Sequence, residues 1–220
     1  MDEVGRGALA GPVVACCIIL PRTPMVEGAT DSKLLSPNAR RRLAKRIRRI
    51  ALYIHLGAAW PEEIDAINIL QATRLAMQRA YAGMATVDPL LLLDGLPMGI
   101  TTDEIAVVGG DHSLYSIACA SIVAKVTRDR LMRLYGQRWP AYSFAQNVGY
   151  GTAAHRAALE EVGASPVHRK SFAPVREVIS STLELLPSNR PVSTTGASSA
   201  QSAMEATLSS PIDTKENVLS

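Results

Sequence analysis

Val13-Val14-Ala15-Cys16-Cys17-Ile18-Ile19-Leu20 is an unbroken apolar run closed by Pro21. Its length suits a strand, and the lack of polar alternation suits one covered on both faces. Further along, Ser36-Pro37 reads as a helix start, a capping hydroxyl followed by proline at the first helical position. Leu43, Ile47 and Ile50 give that helix an apolar stripe. Leu52 to Ala59 is a second strand, stopped by Trp60-Pro61. A longer helix is predicted from Glu62 to Met84, with Ile69, Ala72, Ala76 and Ala80 along one side. Leu90-Leu91-Leu92-Leu93-Asp94 is a short buried strand ending on a carboxylate, and Ile105 to Val108 is another that delivers Gly109-Gly110-Asp111. Ser116 to Tyr135 and Thr152 to Val162 carry helical patterns. Strands alternating with helices predict an α/β layered fold.

Beyond Leu186 the composition changes. Pro187 to Ser220 is rich in Ser, Thr, Ala and Pro and has no sustained apolar period, which predicts a disordered tail after a single domain spanning residues 1–186. The tail sets Arg190 and Lys215 against Glu205, Asp213 and Glu216, a charge of −1, so with +3 overall the folded part carries +4. That mild basic bias favours a polyanionic partner. Aromatic residues are only 5% of the chain, which argues against a base-stacking single-strand binder. Cys16, Cys17 and Cys119 have neither zinc nor disulfide spacing and read as buried thiols of a cytoplasmic protein. No apolar run reaches the length of a membrane span, and the first six residues, with Asp2, Glu3 and Arg6, lack the shape of a signal peptide.

Acidic residues recur at the ends of strands. Asp2-Glu3 precedes a Gly-Arg-Gly turn, Asp94 ends the leucine strand, and Asp111 follows a valine strand and two glycines. Carboxylates at neighbouring strand ends can meet on one rim of a sheet, and an oxygen-only set suits a hard divalent cation such as Mg²⁺. Two such ions can activate water against a phosphodiester. Against this, a lone Asp after a strand is more often a turn residue than a ligand. Adjacent strand residues also face opposite ways, so Asp2 and Glu3 share a site only on bent or terminal backbone. Spacing alone leaves both readings open.

The stretch Asp2-Glu3-Val4-Gly5-Arg6-Gly7-Ala8-Leu9-Ala10-Gly11-Pro12 resembles the opening motif of the ribonuclease HII family. Asp31-Ser32-Lys33-Leu34-Leu35-Ser36-Pro37, Leu93-Asp94-Gly95, Gly110-Asp111, Ser121 to Arg130, Gly149-Tyr150-Gly151-Thr152 and His168-Arg169-Lys170-Ser171-Phe172 follow in the family's order. The resemblance covers residues 1 to 178. It implies a ribonuclease H-like mixed five-stranded sheet flanked by helices, with a helical C-terminal part. It also implies an endonuclease that cleaves the RNA strand of RNA–DNA hybrids and incises duplex DNA 5′ to embedded ribonucleotides, leaving 5′-phosphate and 3′-hydroxyl ends. Asp2, Glu3, Asp94 and Asp111 match the family's metal-binding carboxylates for Mn²⁺ or Mg²⁺. Gly5, Arg6 and Gly7 match the loop that reads the ribonucleotide 2′-hydroxyl, and Tyr150 matches the tyrosine that packs on the following deoxyribose. Arg6 separates the chain from ribonuclease HIII.

Further substrate contacts are expected at Lys33, Asn68, Ser121 and Lys125. Ser121, Lys125 and Asp129 share one helix face, and Lys125–Asp129 also reads as an ordinary surface pair. The basic run Arg40 to Arg49 is either a solvated face or a phosphate contact. The four histidines are assigned no catalysis, His168 at most holding the C-terminal part, and Trp60 and Trp139 read as packing. A monomer is expected, with protein partners left open.

The sequence also departs from the family pattern. Only Met1 precedes Asp2, so the first strand is truncated. Either the natural chain begins upstream, or the shortened strand impairs catalysis and leaves a hybrid-binding module. Gly110 and Asn147-Val148 stand where Lys and His-Lys are common, changes expected to weaken phosphate binding; Ala8 stands for a proline.

Overall fold

The computed structural model describes residues 1–29, 35–84 and 89–185. Lys33 and the expected tail lie outside the described residues.

Three antiparallel strands, β1 (Asp2–Val4), β2 (Val13–Ile19) and β3 (Tyr53–Ala59), pair in that order. Two parallel strands, β4 (Leu92–Asp94) and β5 (Ile105–Val107), form a second ladder. Met1 joins the two. Its ammonium donates to the Leu92 carbonyl at 2.6 Å and its carbonyl accepts from Asp94 N–H at 3.1 Å, the bonding pattern of a parallel pair. The five strands therefore run β3-β2-β1-β4-β5, the expected mixed sheet, with the three-residue β1 at its centre.

The apolar run of β2 is buried on both faces, as its composition requires. Val13, Ala15 and Cys17 pack in one layer with Ile64, Ala72, Ala76 and Ala80 of α2 (Pro61–Ala82). Val14 packs on the other face, with Leu131 and Met132 of α4 (Tyr115–Arg138). Cys16 and Ile18 share that face with Leu43 and Ile47 of α1 (Pro37–Ile50) and with Cys119 and Ile122. The strand period of two thus sorts one sequence into two layers. At Gly57 of β3 a Cβ would lie 2.0 Å from the Ala76 carbonyl oxygen; only glycine lets α2 approach the sheet this closely.

Ser36 caps α1 as expected, its hydroxyl accepting from Ala39 N–H at 3.2 Å. The basic run divides. Arg40 is buried and Arg48 donates to the Thr127 hydroxyl of α4 at 2.9 Å, whereas Arg42, Lys45, Arg46 and Arg49 face solvent. Two cations of the run therefore dock one helix on another, and most of the rest are solvated.

The predicted helix from Glu62 to Met84 is interrupted. Asn68 has φ 66° and ψ 166°, and its carboxamide oxygen accepts from the N–H groups of Leu70 and Gln71 at 3.0 and 3.1 Å. The side chain caps a new helical segment, the competition with backbone that makes Asn a poor helix interior residue.

α3 (Gly110–Ser113), a 3-10 turn (Pro140–Tyr142) and α5 (Phe144–Asn147) were too short to show a period. The chain closes with α6 (Ala153–Val162), capped by Thr152, and α7 (Ala173–Leu185), which pack Leu159 and Val175 on Leu9. Trp60 is buried and Trp139 packs edge-on against Tyr135, so both indoles are packing residues. Among the described residues no helix is long and apolar enough to cross a membrane.

Candidate active site

β1 begins the site. Asp2 lies opposite Cys16 in the register and is buried, and its carboxylate accepts from Glu3 N–H at 2.7 Å and from the Ser121 hydroxyl of α4. Glu3, the middle residue of β1, pairs with Arg6 at 3.3 Å. Asp94 ends the neighbouring β4 and accepts from Gly110 N–H at 2.7 Å. The next residue, Asp111, is buried in α3 and lies 2.8 Å from the His112 imidazole. Both Asp2 and Glu3 feel the charge of Asp94.

Electrostatics follow from this crowding. Burial pushes the Asp2 carboxyl up to about 7, helped by the charges of Glu3 and Asp94 and opposed by its two hydrogen bonds. Burial also raises Glu3, against the pull of Arg6. Among the described residues no three His, Cys, Asp or Glu side chains close on one point as a ready-made ion cage, which is looser than the convergence expected. Asp94 and Asp111 are each engaged by a neighbouring donor, Gly110 N–H and the His112 imidazole. The residues still fit a divalent cation in kind. All four offer oxygen, and a carboxyl driven to about 7 among like charges is one that a cation would hold ionised.

Beside this rim runs the Gly5-Arg6-Gly7 turn, and two arginines that the sequence reading left without a role hold it. Arg169 donates to the carbonyls of Gly5 (2.6 Å), Arg6 (2.7 Å) and Gly11 (2.9 and 2.8 Å). Arg128 donates to Pro12 (2.8 Å), Ala10 (3.0 Å) and Val148 (2.7 Å). Both side chains are fully buried, and burial followed by the charge of Arg128 brings Arg169 down to about 9. Gly5 has φ +96°, and a Cβ there would meet Arg128 Nε at 2.1 Å. Gly7 differs: nothing lies within 4 Å of its would-be Cβ, so no neighbour within the protein requires it to be glycine.

Tyr150 is exposed at the far side of the same clamp. Lys125 Nζ stands 5.9 Å and Arg128 Cζ 5.7 Å from its ring centre. It follows a strained turn in which Val148 has φ 45°, a conformation costly for a β-branched residue. The Val148 carbonyl is held by Arg128, and Asn147 bridges the turn, donating to Tyr142 O and accepting from Gly149 N–H. Asn147 thus shapes the turn that presents Tyr150. Gly110 also has a local role, since a Cβ there would meet Ile117 at 2.6 Å.

Ser121 and Lys125 lie on one face of α4 as expected, the first on Asp2, the second beside Tyr150 and paired with Asp129 at 2.8 Å. Asn68 is not brought to the carboxylates by any contact seen; its carboxamide is engaged in capping. Its neighbour Asp65 accepts from the Lys170 and Ser171 N–H groups at 2.9 and 2.8 Å, which ties α2 to the segment carrying Arg169. His155 and His168 form a buried pair, Nε2 to Nε2 at 2.9 Å, with His155 Nδ1 on Tyr150 O and His168 Nδ1 accepting from Ser165 N–H.

The ribonuclease HII family model matches residues 1–175. A ribonuclease HII of Synechococcus sp. (strain JA-3-3Ab) is 50% identical over 182 residues, covering 81% of this chain and 82% of that protein. One from Listeria monocytogenes is 47% identical over 177 residues, 80% of this chain and 68% of that one. Among solved structures, ribonuclease H2 of Pyrococcus horikoshii OT3 superposes with a TM-score of 0.66 at 22% identity, covering 83% of this chain and 97% of that one. The RNase HII of Archaeoglobus fulgidus, solved in complex with PCNA, gives 0.66 at 22% identity over 80% and 94%. Those two likenesses show the ribonuclease H-like fold, and the sequence relatives, alike over most of both chains, show the family: the chain belongs to ribonuclease HII.

Proposed function

We propose that this chain is an endonuclease that cuts the RNA strand of RNA–DNA hybrids and incises duplex DNA 5′ to embedded ribonucleotides. Ribonuclease HII proteins are hydrolases that cleave RNA in such hybrids. The observation that carries the finer reading is the adjacency of the acidic rim and the clamped Gly5–Gly7 turn. Seven guanidinium hydrogen bonds fix the carbonyls of this turn and its surroundings, while Gly7 leaves space for a ribose to approach the backbone, where a 2′-hydroxyl can be read. The exposed Tyr150 ring supplies a flat apolar face for the adjoining sugar.

Asp2, Glu3, Asp94 and Asp111 would hold Mn²⁺ or Mg²⁺. Two cations held there would supply water activation and charge neutralisation at the phosphodiester, with 5′-phosphate and 3′-hydroxyl ends as products. Ser121 keeps the Asp2 carboxylate oriented, Gly110 N–H does the same for Asp94, and Lys125 places positive charge beside Tyr150 for the backbone. The three free cysteines are buried, which suits the reducing cytoplasm in which we place the protein.

The test is a duplex carrying one ribonucleotide, incubated with the protein and Mg²⁺ or Mn²⁺. A single 5′ nick is expected, and Asp94→Asn should bind the duplex while losing at least about 100-fold in cutting rate. Binding without any nick by the parent chain, or normal cutting by Asp94→Asn, would overturn the assignment.

A further inference from the structure

α4 continues past the acidic rim as a row of polar side chains. Ser121, which bonds Asp2, is followed at four-residue intervals by Lys125, Asp129 and Arg133. These last three meet the first turn of α1, which brings Arg40 and Arg41, and together with Gln146 of α5 they line a pocket of about 290 Å³. Four cations surround one carboxylate. Asp129 is already engaged by Lys125 at 2.8 Å and by Arg40 at 3.7 Å, so the charge the pocket offers to a ligand is positive. Arg41 is exposed and Arg133 half-buried, both within reach of something entering from solvent. No aromatic ring lines the pocket, which leaves a phosphate rather than a stacked base as the matching chemistry. The pocket is continuous with the site already described: Lys125 stands beside Tyr150, and Val148, two residues before that tyrosine, forms part of the wall.

We propose that this pocket takes a backbone phosphate of the bound duplex, remote from the cut, and that Arg41 and Arg133 are its chief contacts. The inference rests on the nuclease reading above. Twelve helical residues separate Ser121 from Arg133, roughly 18 Å at 1.5 Å per residue. With the duplex lying along α4 and advancing about 3.4 Å per nucleotide along its axis, the contact falls on the order of five nucleotides from the scissile bond. The pocket therefore reads the length of the flanking duplex and not its sequence.

The experiment measures binding of fluorescein-labelled RNA–DNA hybrids in an Asp94→Asn background, which holds them uncut. One duplex extends about three base pairs on either side of the central junction and the other about ten. The Arg41→Ala/Arg133→Ala pair should weaken the long duplex about tenfold and leave the short one unchanged. The slope of log affinity against log salt on the long duplex should fall by about 0.9 for the phosphate lost. Arg41→Lys/Arg133→Lys, which keeps both charges, should retain most of the long-duplex affinity, and unchanged thermal midpoints show that the fold is intact. Equal weakening of both duplexes, or an unchanged salt slope, overturns the pocket. If the parent background binds neither duplex, the nuclease reading itself fails, an outcome separate from a parent that binds and a variant that matches it.

Discussion

Replacing Arg169 by Met keeps the volume and apolar stem of the side chain and removes its donors. In the parent, the guanidinium makes four hydrogen bonds to three carbonyls, those of Gly5, Arg6 and Gly11. Arg6 is exposed, so water replaces the donor there at little cost. Gly5 and Gly11 are buried, and an unsatisfied buried acceptor costs about 1–3 kcal/mol. Removing a buried charge recovers part of its desolvation penalty, yet Gly11 loses two bonds at once. The expected loss is about 4 kcal/mol of unfolding free energy, a drop of roughly 8–16 °C in Tm for a domain of this size. Urea titration measures the first and a thermal melt the second. Below the transition, cleavage of a duplex with one ribonucleotide should fall more than binding of an all-DNA duplex, because the turn proposed to read the 2′-hydroxyl loses its support. Arg169→Lys should lie between, since one ammonium cannot satisfy three carbonyls facing it from different directions. A Met variant within about 1 kcal/mol of the parent would refute the clamp.

Two further outcomes follow from packing and protonation. Burial lowers the pKa of both His155 and His168, the latter to about 4, helped there by its neighbour's charge. The folded protein therefore favours the neutral pair. Its contribution is complete above the ordinary value near 6.5 and is lost as pH falls toward 4, so stability should decline across that window and His155→Phe should flatten the decline in pH-dependent melts. Gly57→Ala places a methyl against the Ala76 backbone and should cost about 2–3 kcal/mol by urea titration, with the hybrid-cleavage rate of the surviving folded protein unchanged.

Much of the fold lies on the surface of the sequence because its causes are local. Val13 to Ile18 are all buried, Ser36-Pro37 can hardly avoid starting a helix, and Thr152 caps the helix that follows it. The carboxylates were legible for a similar reason, since each sits in or just beyond a short strand and within a recognisable motif. The break at Asn68 was harder. Its neighbours keep an apolar stripe through the kink, and only the side chain's bonds to Leu70 and Gln71 reveal it.

What the sequence by itself determined is the layering, the strand ends and the family to which Asp2-Glu3-Val4-Gly5-Arg6-Gly7 belongs. Tertiary structure alone decided how the Gly5–Gly7 turn is held. Arg128 reaches carbonyls 116 and 118 residues away and Arg169 reaches Gly5 across 164, and a backbone carbonyl has no letter in a sequence. The same holds for the His155–His168 pair and for the basic pocket between α1 and α4, whose charges come from separate helices. Local pattern records which side chains an element needs; only the closed chain records which distant backbone they serve.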